Sequence, residues 1–145
     1  MKARCISSAA SILPKVFHKP TLGLSSDRQF ALAVGKDYVV YAMTVFLGHF
    51  WYYVCDENYT YYPIWNPAPL FMLVDNRVSP HWRLGFHEGN NPGEVIPILA
   101  FKEWAEDPLF YDHLTDGQKE AVEVFVRYKT LMDAESGYEF MGVTH

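Results

Sequence analysis

Residues 38–55 have the sequence YVVYAMTVFLGHFWYYVC, and they decide the fold class of this 145-residue chain. Two runs rich in β-branched and aromatic residues, a composition typical of strands, flank the pair Leu47-Gly48. Such a pair between two runs predicts a β-hairpin. Neither run alternates cleanly between polar and apolar residues. Both faces of the hairpin must therefore be covered, one by the core and the other by a helix, an N-terminal arm or a partner.

Four more segments have a strand-like composition between turn signals. They are residues 30–34, 70–74, 81–86 and 95–99. The last is the weakest, because a proline interrupts it. Residues 59–69 contain three prolines, which exclude a central strand and predict an extended loop or an edge strand.

The C-terminal third is predicted to be helical. Residues 101–106 and 109–113 indicate two short helices, and a stripe of apolar residues at helical spacing follows them. Thr115 and Gln118 have the spacing of a capping box, with Thr115 as the N-cap. A long helix is therefore predicted over about residues 116–135.

The order of these segments, strands first and helices afterwards, predicts the α+β class. We expect an antiparallel β-sheet of about four to six strands over residues 30–99, packed against C-terminal helices over residues 101–135. The length favours one domain, since typical domains have about 100–200 residues. The predicted division is a basic N-terminal arm, residues 1–28, and a single α+β domain, residues 29–145.

The net charge of −5 conceals an asymmetry along the chain. Residues 1–28 carry five basic side chains against Asp27 alone, a net charge of +4. Residues 29–145 carry seven basic and sixteen acidic side chains, a net charge of −9. We expect the basic arm to lie on the acidic body of its own chain or on that of a second copy, which would give a homodimer by exchange.

Composition and missing motifs exclude several classes of protein. Half of the residues are apolar, too many for a disordered chain, yet no apolar run approaches the roughly 18 residues of a membrane-spanning helix. GxGxxG, GxxxxGKS/T, HExxH and GxSxG are absent from the sequence, which argues against dinucleotide, P-loop, zinc-protease and hydrolase enzymes. We expect no cofactor, no metal, no membrane and, given the acidic body, no nucleic acid as partner.

The low cysteine content, Cys5 and Cys55 alone, favours a reducing, cytoplasmic compartment.

Aromatic side chains are concentrated in residues 38–65, which hold 11 of the 24 in the chain. Tyr59, Tyr61, Tyr62 and Trp65 lie in the proline-broken segment, where regular core packing is hardest to achieve. Tyrosine and tryptophan dominate protein-binding hot spots, because they offer rigid contact area with a polar tip. These four residues are either the centre of an interface or part of the core.

Glu103, Glu106 and Asp107 begin a C-terminal region, residues 100–145, that has a net charge of −6. Such a run forms either a solvated face or a docking surface for a basic protein. In composition the chain resembles the small acidic immunity proteins that bacteria make against their own toxins, a likeness that no motif supports. The first hypothesis is therefore a non-catalytic protein-binding domain, of an immunity or other inhibitory type. Its interface would have the aromatic residues at the centre and these carboxylates at the rim.

The second hypothesis is a small enzyme or ligand-binding domain. Alternation along residues 81–86 puts His81 and Arg83 on one face of a strand. An imidazole and a guanidinium there could bind an anion or transfer protons, with Asp75 orienting them. The alternative for His81 and Arg83 is a solvated sheet face.

Overall fold

A computed structural model describes residues 1–19, 24–59 and 61–137 of the chain. Within those ranges the chain forms eight β-strands and three α-helices. The strands are β1 (Lys2–Cys5), β2 (Asp37–Val39), β3 (Ala42–Phe46), β4 (His49–Val54), β5 (Ile64–Pro67), β6 (Phe71–Asp75), β7 (Trp82–Glu88) and β8 (Val95–Phe101). The helices are α1 (Lys102–Glu106), α2 (Phe110–Thr115) and α3 (Lys119–Glu135).

The strands form two antiparallel sheets, a smaller one in the order β2-β1-β6 and a larger one in the order β5-β4-β3-β8-β7. The predicted α+β fold, with antiparallel strands followed by packed C-terminal helices, is confirmed. The strands are divided between two sheets because β1 pairs with β2 and β6 and not with the hairpin.

The N-terminal segment supplies the middle strand of the smaller sheet. Ala3 and Cys5 of β1 are buried, and the guanidinium of Arg4 lies 2.7 Å from the carboxylate of Asp37 on β2. Further along, Phe17 packs its ring against Trp51 of the larger sheet, with the ring centroids 5.4 Å apart. The described part of residues 1–28 therefore packs on the body of its own chain.

The hairpin formed by β3 and β4 turns at Leu47-Gly48, as predicted. Both residues have positive φ, 56° and 72°, the geometry of a type I′ turn, whose twist matches that of the flanking strands. The turn sets a register in which Phe46 opposes His49 and Ala42 opposes Tyr53.

Two local predictions are wrong. Residues 30–34 form no strand, because the backbone of Phe30 bonds instead to Ser8 and to Leu32 in a tight turn. The predicted capping box at Thr115 and Gln118 is absent: Thr115 ends α2, and its hydroxyl donates to a carbonyl within that helix. Gly117, with φ of 78°, separates α2 from α3, so Gln118 itself occupies the N-cap position of α3.

Aromatic rings join the helices to the larger sheet. Tyr53 of β4 meets Trp104 of α1 at 4.7 Å and Tyr111 of α2 at 5.4 Å between ring centroids. Phe101, the last residue of β8, stacks on Tyr128 of α3 at 4.3 Å. The core of the molecule therefore lies between the larger sheet, the smaller sheet and these three helices.

Candidate functional site

Three of the four aromatic residues predicted at an interface form a cluster of their own. The rings of Tyr59, Tyr61 and Tyr62 contact one another at 4.8 to 6.2 Å between centroids, and Tyr61 is 64% exposed. Trp65 does not join them. On β5 it stacks against Trp51 at 4.3 Å and belongs to the packed layer of the sheet.

The predicted rim carboxylates lie together in a cleft of about 370 Å³ that the three helices line. Glu103 accepts hydrogen bonds from Arg127 and Tyr128 at 2.8 and 2.9 Å, whereas Glu106 and Asp107 are exposed. Four carboxylates and an apolar floor line this acidic cleft: Glu103, Glu106, Asp107 and Glu120, with Phe110, Ala121 and Val124. An apolar floor below carboxylates suits a cationic side chain with an aliphatic stem.

Two residues of the enzyme hypothesis have partners in their own loop or strand. Asp75 accepts two hydrogen bonds from the guanidinium of Arg77, at 3.0 and 2.6 Å, and these hold the pKa of Asp75 below its usual range. Arg83 donates to the backbone carbonyls of Pro80 and Trp82 at 3.4 and 3.2 Å. Its guanidinium therefore lies across the start of β7.

The third residue, His81, faces α3. Its Nε2 lies 3.6 Å from a carboxylate oxygen of Glu135, and the other oxygen of Glu135 is buried with no hydrogen-bond partner among the residues described. Asp75 and Glu135 line a cavity of about 250 Å³, to which Arg83 does not contribute. Across the described ranges, no hydrogen bond or ion pair joins any two of Asp75, His81 and Arg83.

The two cysteines are free thiols, Cys5 buried and Cys55 half-buried. Burial raises the pKa of Cys55 to about 12, and it also raises that of Cys5. A thiol with a raised pKa is protonated near neutral pH and is a poor nucleophile. Neither cysteine therefore offers an activated catalytic group.

One face of the larger sheet is apolar, and half of it is exposed. Residues that oppose each other in an antiparallel ladder point to the same side, so the register defines this face. It carries Met43, Val45, Phe50, Tyr52, Leu84, Phe86, Val95, Pro97 and Leu99. Five of these form what we call the bare face: Phe86 is 65% exposed, Leu84 and Val95 60%, Phe50 50% and Val45 37%.

The other end of the same face is covered by the rest of the fold. Tyr52 is 7% exposed and packs on Phe71 of the smaller sheet at 5.7 Å. Trp82 is buried and donates its indole N–H to the carbonyl of Tyr41, and its cross-strand neighbour Phe101 is covered by α3. The smaller sheet and α3 therefore cover Tyr52 and Phe101 but do not extend over the bare face.

On its opposite side the larger sheet is packed closely by α1. Gly85 of β7 lies so close to this helix that a Cβ would stand 2.1 Å from the carbonyl oxygen of Ala105. His87, on the same side, bonds to that carbonyl through Nε2 at 3.0 Å. β7 therefore buries a glycine and exposes the leucine and the phenylalanine on either side of it.

Sequence reasoning did not single out the bare face as a site. The signal was the hairpin itself, since the missing alternation in its strands indicated that a helix, an arm or a partner must cover its second face. Among the residues that the structure describes, none covers Val45 and Phe50, the two hairpin residues of the bare face.

No helix in the described part of the chain is both long and apolar enough to cross a membrane. Over the same residues, no group of three or more His, Cys, Asp or Glu side chains is placed to hold a metal ion. The chain matches no protein-family model, no curated protein and no solved structure.

Proposed function

We propose that this chain is a non-catalytic protein-binding domain whose main contact surface is the bare face. The observation that carries the proposal is the exposure of five apolar side chains that are neighbours in one sheet. Their exposed surface amounts to roughly 400–500 Å², since an aromatic side chain alone offers about 150–250 Å². A patch of this size equals the largest apolar patch of a typical monomeric protein, about 300–600 Å², and that patch is often a contact site.

The hydrophobic effect gives this surface a substantial driving force. Removing roughly 450 Å² of apolar surface from water gains about 11 kcal/mol at about 25 cal/mol per Å². Association costs roughly 4–15 kcal/mol in lost translation and rotation, and ordering of side chains adds to that cost. Burial of the bare face therefore offsets much of the cost of association, and the affinity depends on how well the partner's surface fits it.

The acidic cleft supports a second contact surface of a different chemical kind. Its exposed carboxylates, Glu106 and Asp107, stand above the apolar floor that Phe110 provides. A basic partner would be attracted there at long range. An inhibitory or immunity-type role is the form of protein binding that this surface favours.

An enzyme or ligand-binding role has less support. It needs Asp75, His81 and Arg83 to act on one substrate, and acid–base partners must come within hydrogen-bond reach. Each of the three is instead engaged by a different group: Asp75 by Arg77, His81 by Glu135 and Arg83 by backbone carbonyls.

Site-specific photo-crosslinking in cells of the native source tests the proposal. A photoreactive amino acid replaces Phe86 on the bare face or, as a matched control, Tyr61, an aromatic residue of equal exposure in the tyrosine cluster. We expect crosslinked protein from position 86 and little from position 61. Crosslinking from position 61 alone would favour the tyrosine-centred interface and contradict the proposal.

A further inference from the structure

We infer that the partner seated on the bare face is a second copy of this chain, stacked face to face. The inference rests on the proposed function and names the partner at the same surface. Two sheets stacked through apolar faces lie about 10 Å apart and interdigitate their side chains, as in a β-sandwich. Phe50, Leu84 and Phe86 of each copy would fill the space between the sheets.

The distribution of charge favours a copy of the same chain. The bare face has no charged member, and the register puts Glu88, opposite Val95, as the one charged residue on this side of β7 and β8. A strongly basic or acidic partner would find no counter-charge there. A neutral sheet face is complementary to another neutral sheet face.

The acidic side chains of α1 lie on the far side of the sheet. α1 carries Glu103 and Glu106 and packs on the side of the larger sheet that buries Gly85. Face-to-face stacking therefore puts the carboxylates of the two α1 helices on the outside of the dimer, with both sheets between them. The distance between these carboxylates in the two copies limits the repulsion between two chains of net charge −5.

The area sets the expected strength of the dimer. Specific interfaces bury about 800 Å² per partner, and those below about 1,000 Å² in total are weak or transient. The bare face offers roughly 400–500 Å² per copy, and the half-buried side chains of Met43, Pro97 and Leu99 extend it. We therefore expect a reversible monomer–dimer equilibrium rather than a permanent dimer.

A second geometry, edge pairing through β7, uses the same strand in a different way. β7 ends the order of the larger sheet. The N–H of Gly89 donates to Glu94 on the β8 side, and bonding alternates along an antiparallel pair. The backbone groups of Leu84 and Phe86 therefore point away from β8. Edge pairing would leave the bare face uncovered in both copies, so the exposed apolar surface favours stacking.

Sedimentation velocity over a wide range of protein concentration tests the inference. Phe50→Lys changes the bare face on β4, an interior strand, and Phe86→Lys changes it on the edge strand β7. Tyr61→Lys is the matched control outside the face. We expect the natural chain to dimerise reversibly, both face variants to dimerise at least about tenfold more weakly, and the control to be unchanged.

Each other outcome overturns the inference in a distinct way. Dimers lost in Phe86→Lys but kept in Phe50→Lys would indicate edge pairing. Dimers lost in Tyr61→Lys would place the contact elsewhere. A chain that is monomeric at every concentration excludes the second copy as the partner. The proposed function then stands if position 86 crosslinks to another protein. If position 86 crosslinks to nothing, the proposed function fails as well. Circular dichroism checks the fold of each variant; if Phe86→Lys does not fold, Leu84→Lys on β7 replaces it, and if Phe50→Lys does not fold, Val45→Lys on the interior strand β3 replaces it.

Discussion

The two sides of strand β7 differ in burial: one side is packed against a helix and the other is exposed to solvent. On one side Gly85 lies against the backbone of α1, where a single added carbon has no room. On the other side Leu84 and Phe86 project into solvent with more than half of their surface exposed. In this strand, side-chain hydrophobicity does not decide burial.

Chain connectivity explains the difference. α1 begins directly after β8, so the chain folds back at once over the nearer side of the sheet. That close approach requires a glycine beneath the helix. The other side depends on cover from β6 and α3, and this cover reaches Tyr52 and Phe101 but not Phe86.

The sharpest test of the comparison replaces one large aromatic residue on each side. Trp104→Ala empties a buried site below Tyr53 and should lower the free energy of unfolding by about 3–5 kcal/mol. Phe86→Ala should change it by less than about 0.5 kcal/mol in the monomer, since Phe86 is exposed. Urea unfolding at a concentration below dimerisation measures both. Similar losses for the two variants would show that Phe86 is buried in the monomer.

A smaller effect is expected where a methyl group is added. Gly85→Ala drives a Cβ into the carbonyl of Ala105 and should cost about 3 kcal/mol, because backbone cannot easily give way. Gly48→Ala is the control: its Cβ meets nothing within 4 Å, and only its φ of 72° is unfavourable, at about 1 kcal/mol. Equal losses in thermal or urea unfolding would contradict the close packing of α1.

The two sides of β3 can be compared by exchanging threonine and valine at the neighbouring positions Thr44 and Val45. Thr44 is buried and donates to the carbonyl of Pro97 at 2.7 Å, so Thr44→Val should cost about 1 kcal/mol. Val45→Thr, on the bare face, should leave the free energy of unfolding nearly unchanged. The same denaturation measurement applies, and a larger loss at Val45 would break the comparison.

The smallest effect on stability is expected at Asp75, the last residue of β6 in the smaller sheet. Arg77 lowers the pKa of Asp75, so Asp75 stabilises the fold above its unfolded-state pKa, about 3.9. This contribution is lost as the pH falls through the folded-state pKa. At pH 7 the thermal midpoint of the natural chain should be higher than that of the Asp75→Asn variant. This difference in thermal midpoint should shrink below about pH 4. A difference that does not vary with pH would rule out the ion pair as its source.

Much of the fold could be predicted because its signals are local. The turn at Leu47-Gly48 and the apolar stripe of α3 each lie within one short stretch of sequence. β1 could not be found in this way, since its partners are distant: Arg4 opposes Asp37 in one strand and Met72 in another. A four-residue strand with two cations carries little strand signal of its own.

The candidate site was predictable only in part, for a similar reason. Sequence alone could not separate Trp65 from Tyr61, two aromatic residues of one proline-rich segment. Trp65 pairs with Tyr53 across β5 and β4 and therefore lies in the packed layer of the sheet. Tyr61 precedes β5 and is exposed. The exposure of Phe86 likewise depends on where β6 and α3 end, which is a property of the assembled fold.

The larger sheet also has a consequence for the order in which the chain folds. Its two hairpins, β3–β4 and β7–β8, are joined by a ladder of only two residue pairs, Met43 with Leu99 and Thr44 with Ile98, and Pro97 has no N–H with which to extend it. Each hairpin closes a loop of a few residues, whereas the junction closes more than fifty. Loop-closure entropy therefore favours early hairpins and a late junction. We expect the folding barrier to be set by the docking of two preformed pieces of sheet.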